Sequence, residues 1–245
     1  MQKAIQHYLN KHGFGALRPK AVLFDMDGVL YDSMPNHARS WHESMKQCGL
    51  DMPESDAYRY EGMRGVETIK LLAREQWHRQ LTDDEAQRLY DVKSALFASC
   101  PPAKKMEGVE QLMQKIKASG LKIGIVTGSG QHTLLDRLQQ AFPGLVEKER
   151  IVTSFDVTHG KPHPEPYLQG LRKAGVEPWQ ALVVENAPLG VEAAVRAGIF
   201  TIAVNSGPLP AQLLRDAGAS LVYDRMTDLR DDWERLWQTF SSPGL

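Results

Sequence analysis

Four short, largely apolar runs punctuate the chain: AVLF at 21–24, LKIGIVT at 121–127, ALVV at 181–184 and FTIAV at 200–204. Runs of this length, bounded by polar residues, read as buried strands. RIVTS at 150–154 and LVY at 221–223 are weaker candidates. Between the later runs, apolar residues recur at helical spacing. Val109, Leu112, Met113 and Ile116 lie at i, i+3, i+4 and i+7, and Leu134, Leu135 and Leu138 repeat the pattern. PEPYLQGLRKAG opens with prolines and closes at Gly175, as helix ends prefer. Strand and helix alternate, so a parallel sheet with right-handed crossovers is the economical α/β fold.

Residues 34–99 break this rhythm. Long amphipathic segments such as VETIKLLAREQW and DDEAQRLYDVKSALFA occur there without a convincing strand, and CPPAKKMEG then restores the β/α pattern. The chain therefore divides into a core of 18–33 and 100–245 and a helical insertion of 34–99. An insertion that leaves the core where strand 1 ends is placed as a lid. Ahead of the core, Ile5, Tyr8 and Leu9 give 1–17 the spacing of a short amphipathic helix.

With Lys+Arg 29 against Asp+Glu 30, the net charge of -1 lacks the basic excess of a nucleic-acid binder. Cys48 and Cys100 are too few for a disulfide framework and have no metal-like spacing. No apolar stretch reaches membrane-spanning length, and the first twenty residues lack the apolar middle of a signal peptide. A cytoplasmic protein with no membrane partner, monomeric or weakly dimeric, is the simplest expectation.

In open parallel sheets, ligands bind where the strands end. Strand 1 ends in Asp25 and Asp27, with Asp32 further on; LKIGIV is followed by Thr127, Gly128 and Ser129. A loop after RIVTS carries Lys161, and ALVV is followed by Glu185 and Asn186. Asp25, Asp27 and Glu185 crowded on one rim would repel, and a hard divalent ion relieves this; all-oxygen ligands favour Mg²⁺. Lys161, with Thr127 or Ser129 and nearby backbone N–H groups, suits a phosphoryl group. Two residues apart in extended chain, Asp25 and Asp27 share a face and reach one phosphorus. Asp25 can then attack as nucleophile, and Asp27 can protonate the leaving oxygen and deprotonate the attacking water. Gly28 lets the chain turn away after them.

DMDGVLYDS, VTGS, GKPHPEPYL and VVENAPLGVEAAVRAG, in that order, resemble the four motifs of the haloacid dehalogenase superfamily, over roughly residues 18–225. The insertion is similar to the cap of its β-phosphoglucomutase-like subgroup. The resemblance implies a doubly wound parallel sheet with an inserted α-helical cap. It implies Asp25 as nucleophile, Asp27 as general acid/base, and Thr127 and Lys161 on the phosphoryl group. It also implies Mg²⁺ held by Asp25, the Asp27 carbonyl and the pair Glu185-Asn186. That pair departs from the usual Glu-Asp: the amide of Asn186 offers an oxygen without a charge. The departure, with NHARSWHESM and YEGMRGVET, is similar to an inorganic-pyrophosphatase branch of the subgroup.

In the insertion, His37 and Trp41 lie four apart on one helical face. Trp41 reads as packing, whereas His37 matches a cap position that faces the site in the subgroup. Glu61 and Arg64 flank Gly62 in the loop that, by resemblance, dips into the active site. Arg64 offers a bidentate contact to a second phosphate, and Glu61 would obstruct bulky substrates. The leading expectation is a Mg²⁺-dependent phosphohydrolase acting on a small phosphorylated substrate, inorganic pyrophosphate first. A β-phosphoglucomutase and a non-catalytic phospho-acceptor are the alternatives, and Asp27 argues against the second because it hastens loss of the phosphoryl group. A phosphonatase would need a reactive cap lysine; Lys93 is available, and nothing in the sequence singles it out.

Overall fold

The computed structural model describes residues 1–129 and 134–241. Six parallel strands form one sheet: β1 (Ala21–Phe24), β2 (Lys122–Val126), β3 (Ile151–Val152), β4 (Ala181–Glu185), β5 (Phe200–Val204) and β6 (Leu221–Tyr223), in the order β3-β2-β1-β4-β5-β6. Successive strands run one way from β1 to β3 and the other way from β4 to β6. The reversal falls between β1 and β4, the place where open α/β sheets leave a crevice at their carboxyl ends. β1 is central, with Phe24 paired to Ile125 on one side and Val184 on the other.

Alternate residues of β1 serve opposite layers. Val22 and Phe24 join a core shared with helix α1 (Gln2–His12), α6 (Val109–Ala118) and α11 (Met226–Ser241). Ala21 and Leu23 pack beneath α8 (Glu165–Ala174) and α9 (Pro188–Arg196). The sheet is thus covered on both faces, which is why its strands are apolar throughout rather than alternating. Helix α1 is part of the first layer: Ile5, Tyr8 and Leu9 are buried, and Tyr8 donates to the Gly198 carbonyl at 2.9 Å. Helix α7 (Leu134–Ala141) follows β2, and the short α10 (Ala211–Asp216) precedes β6. The side chains of Leu134 and Leu135 lie outside the described residues; Leu138 is buried.

The run at 150–154 forms only the two-residue β3. Lys173 takes the Ile151 carbonyl at 2.6 Å, and Thr153 opens a tight turn, exchanging hydrogen bonds with Asp156. β4 runs one residue longer than its apolar run, so Glu185 stands at the strand's last position.

Between β1 and α6 lie α2 (Met34–Gln47), α3 (Glu54–Arg59), α4 (Gly65–Gln76) and α5 (Asp83–Ala98). They bury their own cluster, including Trp41, Met45, Met52, Ile69 and Leu72, apart from the sheet's two layers. Thr82 and Glu85 close a reciprocal capping box at the start of α5. This is the inserted helical cap. None of the described helices is long and apolar enough to cross a membrane.

Candidate active site

Asp25 follows β1 directly, and its N–H still donates to the Val184 carbonyl at 3.0 Å. Its side chain therefore leaves the sheet at a fixed height. Lys161, only 1% exposed, reaches between two carboxylates: its Nζ is 2.5 Å from Asp25 Oδ1 and 2.7 Å from Glu185 Oε1. The Tyr167 ring lies 5.2 Å from the same Nζ. Burial pushes the Asp25 carboxyl up to about 8, with Glu185 and Asp27 pushing the same way and Lys161 opposing them. Burial thus outweighs even the adjoining ammonium in disfavouring the Asp25 anion.

Glu185 was expected among the metal ligands, but its acceptor positions are already committed. Oε1 takes Lys161 and the Tyr167 hydroxyl at 2.9 Å, and Oε2 takes the backbone N–H groups of Asn186 at 2.8 Å and Ala187 at 3.1 Å. Four donors fill the four lone-pair positions of a carboxylate, so ligating an ion would cost one of them. Gly190 clears the space for this carboxylate, since a Cβ there would lie 1.7 Å from Oε1. The atoms left over are Asp25 Oδ2 and Asn186 Oδ1, both buried and without a hydrogen-bond partner. Gly28 (φ 81°) makes the turn expected of it and also leaves room for Asn186, whose Nδ2 would lie 2.1 Å from a Cβ.

Asp27 occupies a different pocket. Ser33 donates to its Oδ1 at 2.6 Å, and His37 Nε2 lies 3.3 Å from the same oxygen. Burial alone would raise this carboxyl; His37, Ser33 and the more distant Lys93 outweigh it and hold Asp27 below the ordinary carboxylate value. Lys93 of α5 is buried among Trp41, Tyr90 and Phe97, and its Nζ is 2.8 Å from His37 Nδ1. An ammonium only donates, so His37 Nδ1 must accept, and its one proton sits on Nε2, facing Asp27. Burial and Lys93 together hold His37 below its ordinary value, against Asp27, so it remains neutral. The His37 ring stacks on Phe97 with centroids 4.1 Å apart.

Of the cap loop, Gly62 touches the core most closely: a Cβ there would lie 2.7 Å from Lys161 Cδ. Glu61 beside it is raised well above the ordinary carboxylate value by burial, then by Asp27 and Asp25, with Lys161 opposing. Arg64, expected to face a second phosphate, is instead turned onto the core loop, where Nη1 donates to the Thr158 carbonyl at 2.7 Å. Thr127, at the end of β2, accepts the Ser129 N–H at 3.0 Å and so shapes the turn through Gly128, over which the Gly62 carbonyl lies. Asp32, the acid that follows Asp25 and Asp27 after strand 1, is exposed and its backbone N–H donates to the Lys104 carbonyl.

Asp25, Asp27, Glu61 and Glu185 are thus four carboxylates whose buried counter-charges are Lys161 and Lys93. A divalent ion beside them would favour the ionised forms of Asp25 and Glu61, which burial disfavours. The orphaned oxygens of Asp25 and Asn186 provide hard ligands for it. The residues present fit a magnesium ion.

Three participants escaped the sequence reading: Lys93, Ser33 and Tyr167. Lys93 had a readable signal, because it occupies the apolar stripe of α5 with Ala86, Tyr90 and Phe97, where a lysine needs a reason. Ser33 and Tyr167 had none.

The sequence profile of haloacid dehalogenase-like hydrolases matches residues 22–204. A solved Bacteroides vulgatus protein, provisionally named a beta-phosphoglucomutase, is 48% identical, superposes with a TM-score of 0.95 and shares 98% of each chain. Hexitol phosphatase A of Escherichia coli is 31% identical over 78% of this chain and 85% of its own. The phosphorylated carbohydrates phosphatase of Thermotoga maritima is 30% identical over 75% and 83%.

Proposed function

Because the chain belongs to the haloacid dehalogenase-like hydrolase family, we propose that it is a Mg²⁺-dependent phosphohydrolase that works through a phosphorylated Asp25, with inorganic pyrophosphate as substrate. The observation that carries the reading is the buried Asp25–Lys161–Glu185 cluster beside the unpartnered oxygens of Asp25 and Asn186. Asp25 and Asn186 would hold the ion with the Asp27 carbonyl, and the ion would supply charge neutralisation at the transferring phosphoryl oxygens.

Asp25 forms a bond to phosphorus while the bond to the leaving oxygen breaks. Lys161, released in part from Asp25, pairs with the transferring group, and Glu185 keeps the ammonium in place. Asp27, protonated, gives its proton to the leaving oxygen. In the second half-reaction Asp27 takes a proton from water as the water oxygen attacks phosphorus, and free phosphate and the Asp25 carboxylate are restored. The His37 Nε2–H steadies the anion of Asp27, which favours its role as base.

Two features favour pyrophosphate. Asp27 is held largely ionised, so strong protonation of the leaving group is scarce; a phosphate leaving group is a far weaker base than a sugar alkoxide and needs little of it. In addition, Gly62 lies against Lys161, and the neighbouring Glu61 carboxyl feels Asp27, Asp25 and Lys161, which suits a small substrate whose charge is met by metal. The names of the carbohydrate phosphatases and of the Bacteroides vulgatus protein favour a second reading, hydrolysis or transfer of a sugar phosphate.

Phosphate release measured across pyrophosphate, hexose phosphates and nucleotides, with and without Mg²⁺, separates these. Pyrophosphate should lead by at least about tenfold in kcat/KM and require Mg²⁺. Interconversion of glucose 1- and 6-phosphates faster than any phosphate release would overturn the hydrolase reading in favour of a mutase. The proposal includes a cytoplasmic enzyme, monomeric or weakly dimeric.

A further inference from the structure

We propose that His159, His163 and Glu165 form a second metal site, selective for imidazole-seeking ions such as Zn²⁺ and separate from the magnesium position. Their ligand atoms all lie within 4.8 Å of one another. Glu165 Oε2 is 3.0 Å from His159 Nδ1 and 3.9 Å from His163 Nδ1. In a tetrahedral zinc site with bonds of ~2.0–2.2 Å, neighbouring ligand atoms stand about 3.3–3.6 Å apart. The two separations bracket that range, and the third lies within 4.8 Å.

The rings are set side by side, centroids 4.7 Å apart and 36° between planes, so both nitrogens approach one point from neighbouring directions. The carboxylate is oriented by the chain itself: Thr158 N–H donates to Oε1 and His159 N–H to Oε2, each at 2.9 Å. Outer donors of this kind fix a ligand before the ion arrives. Pro162 and Pro164 flank His163 and reduce the loop's freedom in the unbound state. Binding displaces two contacts, the His159 Nδ1–Glu165 Oε2 hydrogen bond at 3.0 Å and the Glu165 N–H to His163 Nδ1 at 3.2 Å, the latter at a helix start where water can take over the amide. Both histidines are exposed, which leaves the fourth position open to water. Two neutral imidazoles and a carboxylate carry one negative charge and select Zn²⁺ or Ni²⁺ over Mg²⁺, which prefers oxygen alone. Lys161 lies between the two histidines in sequence, so an ion there ties the loop carrying that ammonium to the first turn of α8.

The test is calorimetric titration of the full-length protein with Zn²⁺ in saturating Mg²⁺ and phosphate-free buffer. Wild type and Asp25→Asn should bind one zinc alike, while His159→Ala and His163→Ala each weaken it at least about tenfold, the scale even outer-shell losses reach. Zinc binding unchanged in both histidine variants, lost in Asp25→Asn, or absent from wild type would each overturn the site. None of these outcomes depends on phosphate release, so failure here leaves the hydrolase reading standing.

Discussion

At the scale of single residues, the site is governed by scarcity of positive charge. Lys161 serves both Asp25 and Glu185, and among the described residues no other ion pair to either is present. Lys161→Met should therefore cost about 3–5 kcal/mol in urea unfolding without metal, because two buried acids lose their counter-charge. Asp25→Asn should behave in the opposite way: no phosphate release, yet a melting temperature equal to or above wild type, since burial already disfavours the ionised form. Asp27→Asn should lose at least about 10²-fold in phosphate release, the usual scale for an acid–base group; a near-normal rate would remove it from that role. Lys93 adds a pH signature. Burial lowers its ammonium from 10.5 to about 8, against the pull of Glu61 and Asp27. Between those values the unfolded chain binds the extra proton and the folded chain does not, so stability rises with pH across the window. Below pH 8 the cost of burying the charge is present in full. The unfolding free energy of wild type minus that of Lys93→Met should climb between pH 8 and 10.5, and a flat difference would show that Lys93 does not titrate there.

At the scale of elements, local chemistry was readable wherever it acted alone. The left-handed Gly175 that ends α8 stands where the residue types put it. β3 was less readable, because Lys173 from α8 and the Thr153 turn stop it after two residues, and neither lies within the apolar run. The packing of α4 on α5 depends on an absence: a Cβ on Gly65 would lie 2.0 Å from the Tyr90 ring. Gly65→Ala should cost about 1–3 kcal/mol through overpacking and move Tyr90, which flanks Lys93. Comparing cap proteolysis rates in the two proteins would detect the loosening.

At the scale of the whole molecule, the cap sits on the core through contacts spread along its length. Gly62 lies on Lys161, Arg64 holds the Thr158 carbonyl, Asn36 donates to the Pro101 carbonyl at 2.9 Å, and His37 bridges Lys93 to Asp27. Closing the cap therefore also completes the surroundings of the general acid/base, which couples substrate size to chemistry. Glu61→Ala should open the space beside Lys161 and shift kcat/KM toward larger organic phosphates relative to pyrophosphate. An unchanged ratio would take Glu61 out of the specificity account.

Periodicity and strand-end chemistry sufficed to specify the sheet, and to point to the strand ends that carry Asp25, Lys161 and Glu185, because each is a local pattern read against a fold with few alternatives. Which lone pairs remained free was decided only in three dimensions. Glu185 is saturated by Lys161, Tyr167 and two amides, one Arg64 nitrogen reaches a core carbonyl, and Lys93 reaches Asp27 through His37 from a helix more than fifty residues away. Hydrogen bonds are claimed by whichever partners packing brings within about 3 Å, and that competition leaves no mark in the order of residues.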